Sequence, residues 1–389
     1  MRKYVRILLT GGGTGGHVLP ILAVVNELRK IGTERGLDFT FLHIGTNPER
    51  ERDLVEKFHI KYDHVAAGKI RRYFSFQNLV DIFKIPWGLQ QAFRKIKEFQ
   101  PDVVFGKGGY ASVPVVTAAG WLHKQIIIHE SDTTPGLANR RMAKYATKIA
   151  LTYPQSARFF DRNKVVMTGN PIRAGIGDGS FESCLKTFHL ENTKPILFIT
   201  GGSIGARTIN RTVVAALPAL LKDYQVIHQC GQVGLEDVLA RLQGIFGAAN
   251  VVQQGNNYYL RDQGYRLRPF LQLDEMADAY AGAQLIISRA GASSLSEIAL
   301  AGKPSILIPL PLSASRGEQI TNAAVYERAG ASLVIMNEEM SAAKLVKTVR
   351  HLLADPDEIK TMSAAARKLA CPEAATLLAE EIIKLAYGD

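Results

Sequence analysis

Two copies of one phosphate-cradle pattern, half a chain apart, constrain this fold more than any other feature. The apolar run Val5–Leu9 empties into Thr10-Gly11-Gly12-Gly13-Thr14-Gly15-Gly16-His17, and Pro195–Thr200 empties into Gly201-Gly202-Ser203-Ile204-Gly205-Ala206. Each reads as a strand, a glycine turn and a helix. Glycine is needed because a tight turn uses positive φ, and because the missing Cβ lets backbone N–H groups and the helix N-terminus approach an anion. Two such units predict two Rossmann-like halves facing one cleft.

A length of 389 residues allows two domains with their own cores, and 47% apolar with 21% charged residues is an ordinary soluble α/β composition. No apolar run approaches the ~18–20 residues of a membrane span, and the short run at Ile7–Leu9 has no cleavage site after it, so a cytoplasmic location is expected. Cys184, Cys230 and Cys371 share neither metal-like nor disulfide-like spacing, which suits a reducing compartment. The net charge of +11 is lopsided: residues 1–170 carry 26 basic against 14 acidic side chains, the remainder 21 against 22. A basic first half fits a phospholipid surface, an anionic substrate or nucleic acid.

Alternating patterns predict strands at 4–9, 39–44, 102–105, 125–128 and 148–152 with a helix over 17–31, then strands at 195–200, 224–229, 284–288 and 305–309. Strands separated by helices imply parallel, doubly wound sheets. Periodicity breaks at 168–192, where Gly169, Asn170, Pro171, Gly175, Gly177 and Gly179 cluster. The expected domains are therefore 1–170 and 171–372, with a last helix, 373–389, that packs back on the first.

Gly11-x-Gly13-x-x-Gly16 matches the dinucleotide fingerprint, but that reading needs an acid closing the second strand, and Phe39–Ile44 runs into Gly45-Thr46-Asn47. A Walker loop fails too, because His17-Val18 stands where Lys and Ser/Thr belong. His17 is either a proton acceptor on the ligand side of the turn or a polar residue making a local bond. Gly106-Lys107-Gly108-Gly109-Tyr110 and His129-Glu130-Ser131-Asp132 also follow strands, the place where doubly wound sheets bind ligands. Ser294 and Glu297 have capping-box spacing, which by itself would account for Glu297; a functional reading gives its carboxylate a sugar diol. Ser313–Gln319 is a polar loop over a strand end.

Taken in order, Gly11–Pro20, Gly106–Pro114, His129–Arg140, Gly169–Arg173, Gly201–Asn210, Ser288–Pro309 and Gln319–Ala323 closely resemble the MurG family. These are peptidoglycan glycosyltransferases that move N-acetylglucosamine from UDP-GlcNAc to undecaprenyl-linked muramoyl-pentapeptide, lipid I to lipid II. The resemblance implies a GT-B fold, with two Rossmann-like doubly wound parallel-sheet domains facing a cleft, acceptor site first and donor site second. Carried over by position, Glu297 holds the ribose, Gly202, Ser203 and Gly205 the diphosphate, Arg173 the phosphate side, and the Leu271 backbone the uracil. Gln319, beside Glu318, meets the sugar hydroxyls, while Thr14, Gly15, Gly16, His17, Gly109, Tyr110 and Glu130 line the acceptor pocket. Two positions depart from the family pattern: Ser131-Asp132 stands where Gln-Asn is frequent, and Glu318 where a neutral residue or His is frequent.

The reaction such a family performs displaces UDP by a sugar hydroxyl, so a base must take a proton and the diphosphate charge must be stabilised. His17 is the first choice for the base, with Glu130 and Asp132 as rivals. No DxD-like acidic pair sits at a strand end, so metal-independent, inverting chemistry without a cofactor is expected, with the helix start after Ser203 and Arg173 facing the leaving group. Arg71, Arg72, Phe83 and Trp87 combine cations with bulky apolar groups, as an anchor on the cytoplasmic face of the inner membrane would, although a partly buried helix with solvated ends has the same composition. The resemblance further implies cell-wall synthesis or division proteins as partners. A transferase with another acceptor remains an alternative; a nucleic-acid binder would leave the paired glycine turns unexplained.

Overall fold

The computed structural model describes residues 4–12, 15–46, 49–68, 76–202 and 205–388; the side chains of residues 15, 50 and 76–85 lie outside the description. Thr14, Arg71, Arg72, Ser203 and the side chain of Phe83 therefore fall beyond it. The chain forms two compact units, 1–173 with 371–389, and 174–370.

In the first unit the strands are β1 (Tyr4–Thr10), β2 (Asp38–Gly45), β3 (Lys61–His64), β4 (Val103–Gly106), β5 (Gln125–Glu130), β6 (Lys148–Leu151) and β7 (Val165–Met167). The helices are α1 (Gly15–Arg35), α2 (Glu49–Glu56), α3 (Phe76–Phe99), α4 (Ser112–Trp121) and α5 (Leu137–Met142). Among the described residues the sheet runs β3-β2-β1-β4-β5-β6-β7, with every pair parallel. Ile7, Leu8 and Leu9 are all fully buried, because helices cover both faces and leave the strand no polar side.

The second unit contains α6 (Phe181–Phe188), β8 (Ile196–Thr200), α7 (Arg207–Leu220), β9 (Gln225–Gln229), α8 (Leu235–Phe246), β10 (Val251–Gln254), β11 (Asn257–Leu260), β12 (Tyr265–Arg268), α9 (Leu273–Gly282), β13 (Leu285–Ser288), α10 (Ala292–Ala301), β14 (Ser305–Leu307), α11 (Glu318–Arg328), β15 (Ser332–Val334), α12 (Ala342–Leu353) and α13 (Pro356–Lys368). Its order is β10-β11-β12-β9-β8-β13-β14-β15. To the expected parallel strands the structure adds an antiparallel edge, β10-β11-β12, in a stretch where the sequence patterns predict no strand. A two-residue loop, Gly255–Asn256 with Gly255 at φ +60, joins β10 to β11, and these short, half-exposed strands lack the apolar run by which the buried ones are recognised.

Strand order reverses twice, between β1 and β4 and between β8 and β13, and each glycine turn follows one of these switch strands. Loops spread apart at such a point, which is why doubly wound sheets bind ligands there. After the second unit the chain returns to the first as α14 (Ala374–Tyr387). Its Leu378, Ala379, Ile382 and Ile383 join Val18, Ile21, Leu22 and Val25 of α1 in one apolar cluster. Arg35 Nη1 donates to Glu380 Oε2 (3.0 Å) and Thr376 Oγ1 to Glu27 Oε2 (3.1 Å) along the seam.

Candidate functional site

In the first unit three strand ends converge. β1 delivers Gly11 and Gly12, β4 delivers Lys107–Tyr110, and β5 delivers His129–Asp132. Sterics dictate glycine where these turns meet: a Cβ on Gly109 (φ +83) would lie 2.6 Å from Gly12 O and 3.5 Å from His17 Cδ2. The turns thus stack, with the His17 ring against the second one. Gly16 at the start of α1 is exposed, Gly109 and Tyr110 are half-buried, and Gly15 opens the helix.

His17 is half-buried, and its pKa is lowered to about 4, first by burial and then by the Lys107 charge, against a contact with the Lys107 backbone and the Glu51 charge. The imidazole is therefore neutral near pH 7. Glu130 is 3% exposed and its pKa is raised to about 7, by burial and then by Asp132. Its Oε1 accepts from Asp132 N (2.9 Å), and its Oε2 from Gly136 N (3.1 Å) and Asn139 Nδ2 (2.8 Å). Glu130 is thus engaged in shaping its own loop, and both of its oxygens are occupied. Asp132 is half-buried at the loop's outer end. His129 is fully buried, is held well below the usual imidazole range by burial, and bonds Gly169 O through Nε2 (2.8 Å).

Two polar residues at this site gave no local signal. Lys107 is 1% exposed and donates through Nζ to Asn170 Oδ1 (3.3 Å). Glu51, in the charge-rich α2, folds back against the first turn: a Cβ on Gly12 would meet its Oε1 at 2.7 Å. Tyr62 donates its hydroxyl to Glu51 Oε1 (3.3 Å), and His43 Nε2 lies 3.1 Å from Gly11 O and 3.5 Å from Glu51 Oε1. An acid therefore reaches the end of β2, although none closes that strand in sequence. It comes from a helix and is packed on backbone with 7% exposure, not opened to a ribose.

In the second unit the turn after β8 has Gly202 (φ +82) in open space, with nothing within 4 Å of a built Cβ, whereas a Cβ on Gly205 (φ +84) would strike Cys230 O at 2.1 Å. Gly202 N donates to Thr200 Oγ1 (3.1 Å) and Gly205 N to Gly202 O (3.0 Å). Among the described residues no side chain caps α7, whose first N–H groups lie at the end of a switch strand. The capping-box account of Glu297 is overturned: α10 begins at Ala292 behind Gly291, Ser294 is its third residue, and no side chain caps it. Glu297 lies one turn further in, 9% exposed, and its Oε2 accepts from Tyr280 OH (3.0 Å).

Gln319 Oε1 accepts from Leu310 N (3.1 Å), and its Nε2 would lie 3.9 Å from a Cβ on Gly291, so it spans the ends of β13 and β14. Glu318 Oε2 accepts from Arg316 N (2.8 Å), within its own loop. Arg289 fixes this end of the sheet, donating through Nη1 to Ile308 O (3.0 Å), Pro309 O (3.2 Å) and Asn337 Oδ1 (2.9 Å). Leu271 is fully buried just before α9. Arg173 is half-buried at the end of the first unit's long segment. Among the described residues no three acidic, His or Cys side chains are grouped to hold a metal ion, and no helix is long and apolar enough to cross a membrane. Trp87 is 59% exposed on α3.

Family models match both halves. Residues 7–151 match the glycosyltransferase family 28 N-terminal domain, and residues 196–378 the glycosyltransferase family 28 C-terminal domain. The UDP-N-acetylglucosamine--N-acetylmuramyl-(pentapeptide) pyrophosphoryl-undecaprenol N-acetylglucosamine transferase of Lachnospira eligens is 41% identical over 90% of this chain and 91% of its own. The second such transferase of Bacillus thuringiensis subsp. konkukian is 38% identical over 92% and 94%. Among solved structures, MurG of Acinetobacter baumannii aligns with a TM-score of 0.72 at 27% identity, covering 98% of this chain and 99% of that one. A UDP-N-acetylglucosamine 2-epimerase at 17% identity (TM-score 0.69, covering 100% and 97%) shares the fold.

Proposed function

We propose the reaction from one premise: the chain belongs to the MurG family of glycosyltransferases. It transfers N-acetylglucosamine from UDP-GlcNAc to undecaprenyl-diphospho-N-acetylmuramoyl-pentapeptide, converting lipid I to lipid II. The observation that carries this reading beyond kinship is the doubled cradle, one glycine turn at each switch point, with carboxylate chemistry beside the first and a helix start beside the second.

In the donor half, Gly202, Ser203, Gly205 and the N–H groups that start α7 receive the diphosphate, where helix dipole and backbone donors offset charge on the departing UDP. Arg173 supplies a cation on the same side. Glu297 accepts from the ribose hydroxyls while Tyr280 fixes its second oxygen. The buried Leu271 segment meets the uracil through its backbone, and Gln319, with Glu318 near it, meets the sugar.

In the acceptor half a sugar hydroxyl attacks the anomeric carbon, the bond to the diphosphate oxygen breaks, and the configuration inverts in one displacement. His17, neutral near pH 7, takes the hydroxyl proton. Asp132 is its rival; Glu130, with both oxygens engaged, orders the loop that carries Asp132. Thr14, Gly15, Gly16, Gly109 and Tyr110 line the pocket. Neither a metal nor a cofactor is needed for these steps.

The polyprenyl tail of the acceptor requires a membrane, and the exposed Trp87 with Arg71, Arg72 and Phe83 would anchor the basic half on the cytoplasmic face. The deciding experiment is transfer of labelled N-acetylglucosamine to a short-chain lipid I analogue, with and without EDTA. Transfer unaffected by EDTA is expected; no transfer refutes the acceptor, and a strict Mg²⁺ requirement refutes the metal-free mechanism. In the same assay, replacing Arg71, Arg72 and Trp87 together should slow turnover of the long-chain acceptor on anionic vesicles and spare the soluble analogue.

A further inference from the structure

Lys107 is a lysine where a doubly wound fold has no local reason to bury one. It follows β4 in the 106–112 turn, is 1% exposed, and has three N–H donors with a single hydrogen bond among the described residues, the 3.3 Å contact to Asn170 Oδ1. An ammonium withdrawn from water at this depth is unfavourable unless anions compensate it. Burial lowers the Lys107 pKa to about 8, and two carboxylates offset that in part: those of Glu130, at the end of β5, and Asp132, in the loop after it, both favour its charged form. The ammonium in turn favours the ionised carboxylates, which stand two residues apart, where Asp132 opposes ionisation of Glu130.

The surrounding contacts keep the three groups together. Gly108 (φ +99) lies so close to Asn139 that a Cβ would be 3.3 Å from its amide, and that amide holds Glu130 Oε2. A Cβ on Gly11 would be 3.1 Å from Lys107 Cβ, which binds the first glycine turn to the same point. The remaining titratable neighbours are His17 from α1 and His129 from β5, and the Lys107 charge opposes protonation of both. Glu51 from α2 acts on His17 in the opposite sense.

We propose that Lys107 is a positioning residue of the acceptor site: its ammonium is the buried countercharge that lets Glu130 and Asp132 stand together beside the glycine turns, and it keeps a proton off His17. The second half of this statement rests on the proposed role of His17; the first does not.

Lys107→Met and Lys107→Arg in the full-length protein test it by two measurements. Without the ammonium the folded pKa of Glu130, already raised to about 7, rises further, so the stability lost as pH rises becomes larger than in wild type. Thermal unfolding of Lys107→Met should therefore lose several degrees more than wild type between pH 5 and pH 8, and Lys107→Arg should keep the wild-type slope. For transfer to the soluble acceptor analogue, the acidic limb of the kcat/KM profile should move up by about one pH unit in Lys107→Met, and return in Lys107→Arg, because a cation that opposed protonation of His17 is gone. Equal pH slopes and superimposable profiles in wild type and Lys107→Met overturn the proposal. If Lys107→Met does not fold, Lys107→Met with Asp132→Asn should, since one anion leaves with the cation; failure of both overturns it as well. A wild-type protein that does not transfer to the analogue would refute the reaction, while the unfolding measurement still decides the countercharge.

Discussion

The two glycine turns begin alike and end in opposite electrostatic surroundings. Around Gly11 and Gly12 stand His17, Glu51, Lys107, Glu130 and Asp132, a set rich in ionisable groups. Behind the turn at Gly201–Gly205 lies a buried set of uncharged polar groups. His228, pushed down to about 3 by burial, is joined to Tyr265 OH (2.9 Å) and Asn210 Oδ1 (3.1 Å), and Asn210 Nδ2 donates to Cys230 O (2.8 Å). In the proposed reaction the same backbone device serves proton chemistry in one half and anion binding in the other. What differs is the neighbours that distant strands bring to it.

That comparison is broken most severely by filling the donor turn. Gly205→Ala places a Cβ 2.1 Å from Cys230 O at φ +84, and should cost roughly 2–5 kcal/mol from overpacking and left-handed strain together. Gly202→Ala, at φ +82 but in open space, should cost only the strain, about 1–2 kcal/mol, and lose UDP binding out of proportion to it. Urea unfolding beside UDP titration separates the two; equal stability losses would mean the second unit's turn relaxes.

Next in size is Glu297→Ala, which removes a charge-assisted contact worth about 1.5–3 kcal/mol, so donor affinity should fall roughly ten- to hundredfold. Glu297→Gln, still able to accept from Tyr280, should retain the wild-type melting temperature while affinity drops. A collapse of stability in both, with UDP affinity intact, would reduce Glu297 to a structural partner of Tyr280.

The acceptor half should show the smaller, pH-dependent effects. The His17 pKa is lowered to about 4, so the folded state binds fewer protons than the unfolded chain, and the stability it contributes above pH 6.5 is lost as pH falls towards 4. Glu130, raised to about 7, has the opposite sign: its contribution is lost as pH rises from 4.5 to 7. Glu130→Gln should flatten that second slope in a pH series of urea unfolding, and His17→Ala the first. No equivalent slope near neutrality should come from the donor half, since His228 would contribute only towards about pH 3. A slope that survives Glu130→Gln would assign it to another carboxylate.

The α/β class, the strands β1, β2, β4, β5, β6, β8, β9, β13 and β14 with α1, both glycine turns and the family were legible in the sequence, because apolar runs and glycine turns are local and their spacing survives without the fold. The β10-β11 hairpin was legible only in its Gly255–Asn256 loop, since strands of four residues with mixed faces have no period to read. The capping reading of Glu297 failed because local spacing cannot tell where a helix starts: α10 begins at Ala292, and Glu297 is instead engaged by Tyr280, seventeen residues earlier.

By itself, then, the sequence determined the backbone devices: which strands are buried on both faces, where φ must turn positive, and that two such turns occur. Only the tertiary structure decided their chemistry. Parallel register sets Thr10 beside both Ile44 and Gly106, and thereby brings Glu51 of α2 and Lys107 of the β4 turn to one glycine loop from points 40 to 96 residues away. Charge, burial and pKa arise from such neighbours, which no window of sequence contains, because the low dielectric that gives them their magnitude exists only once the helices have closed over the sheet.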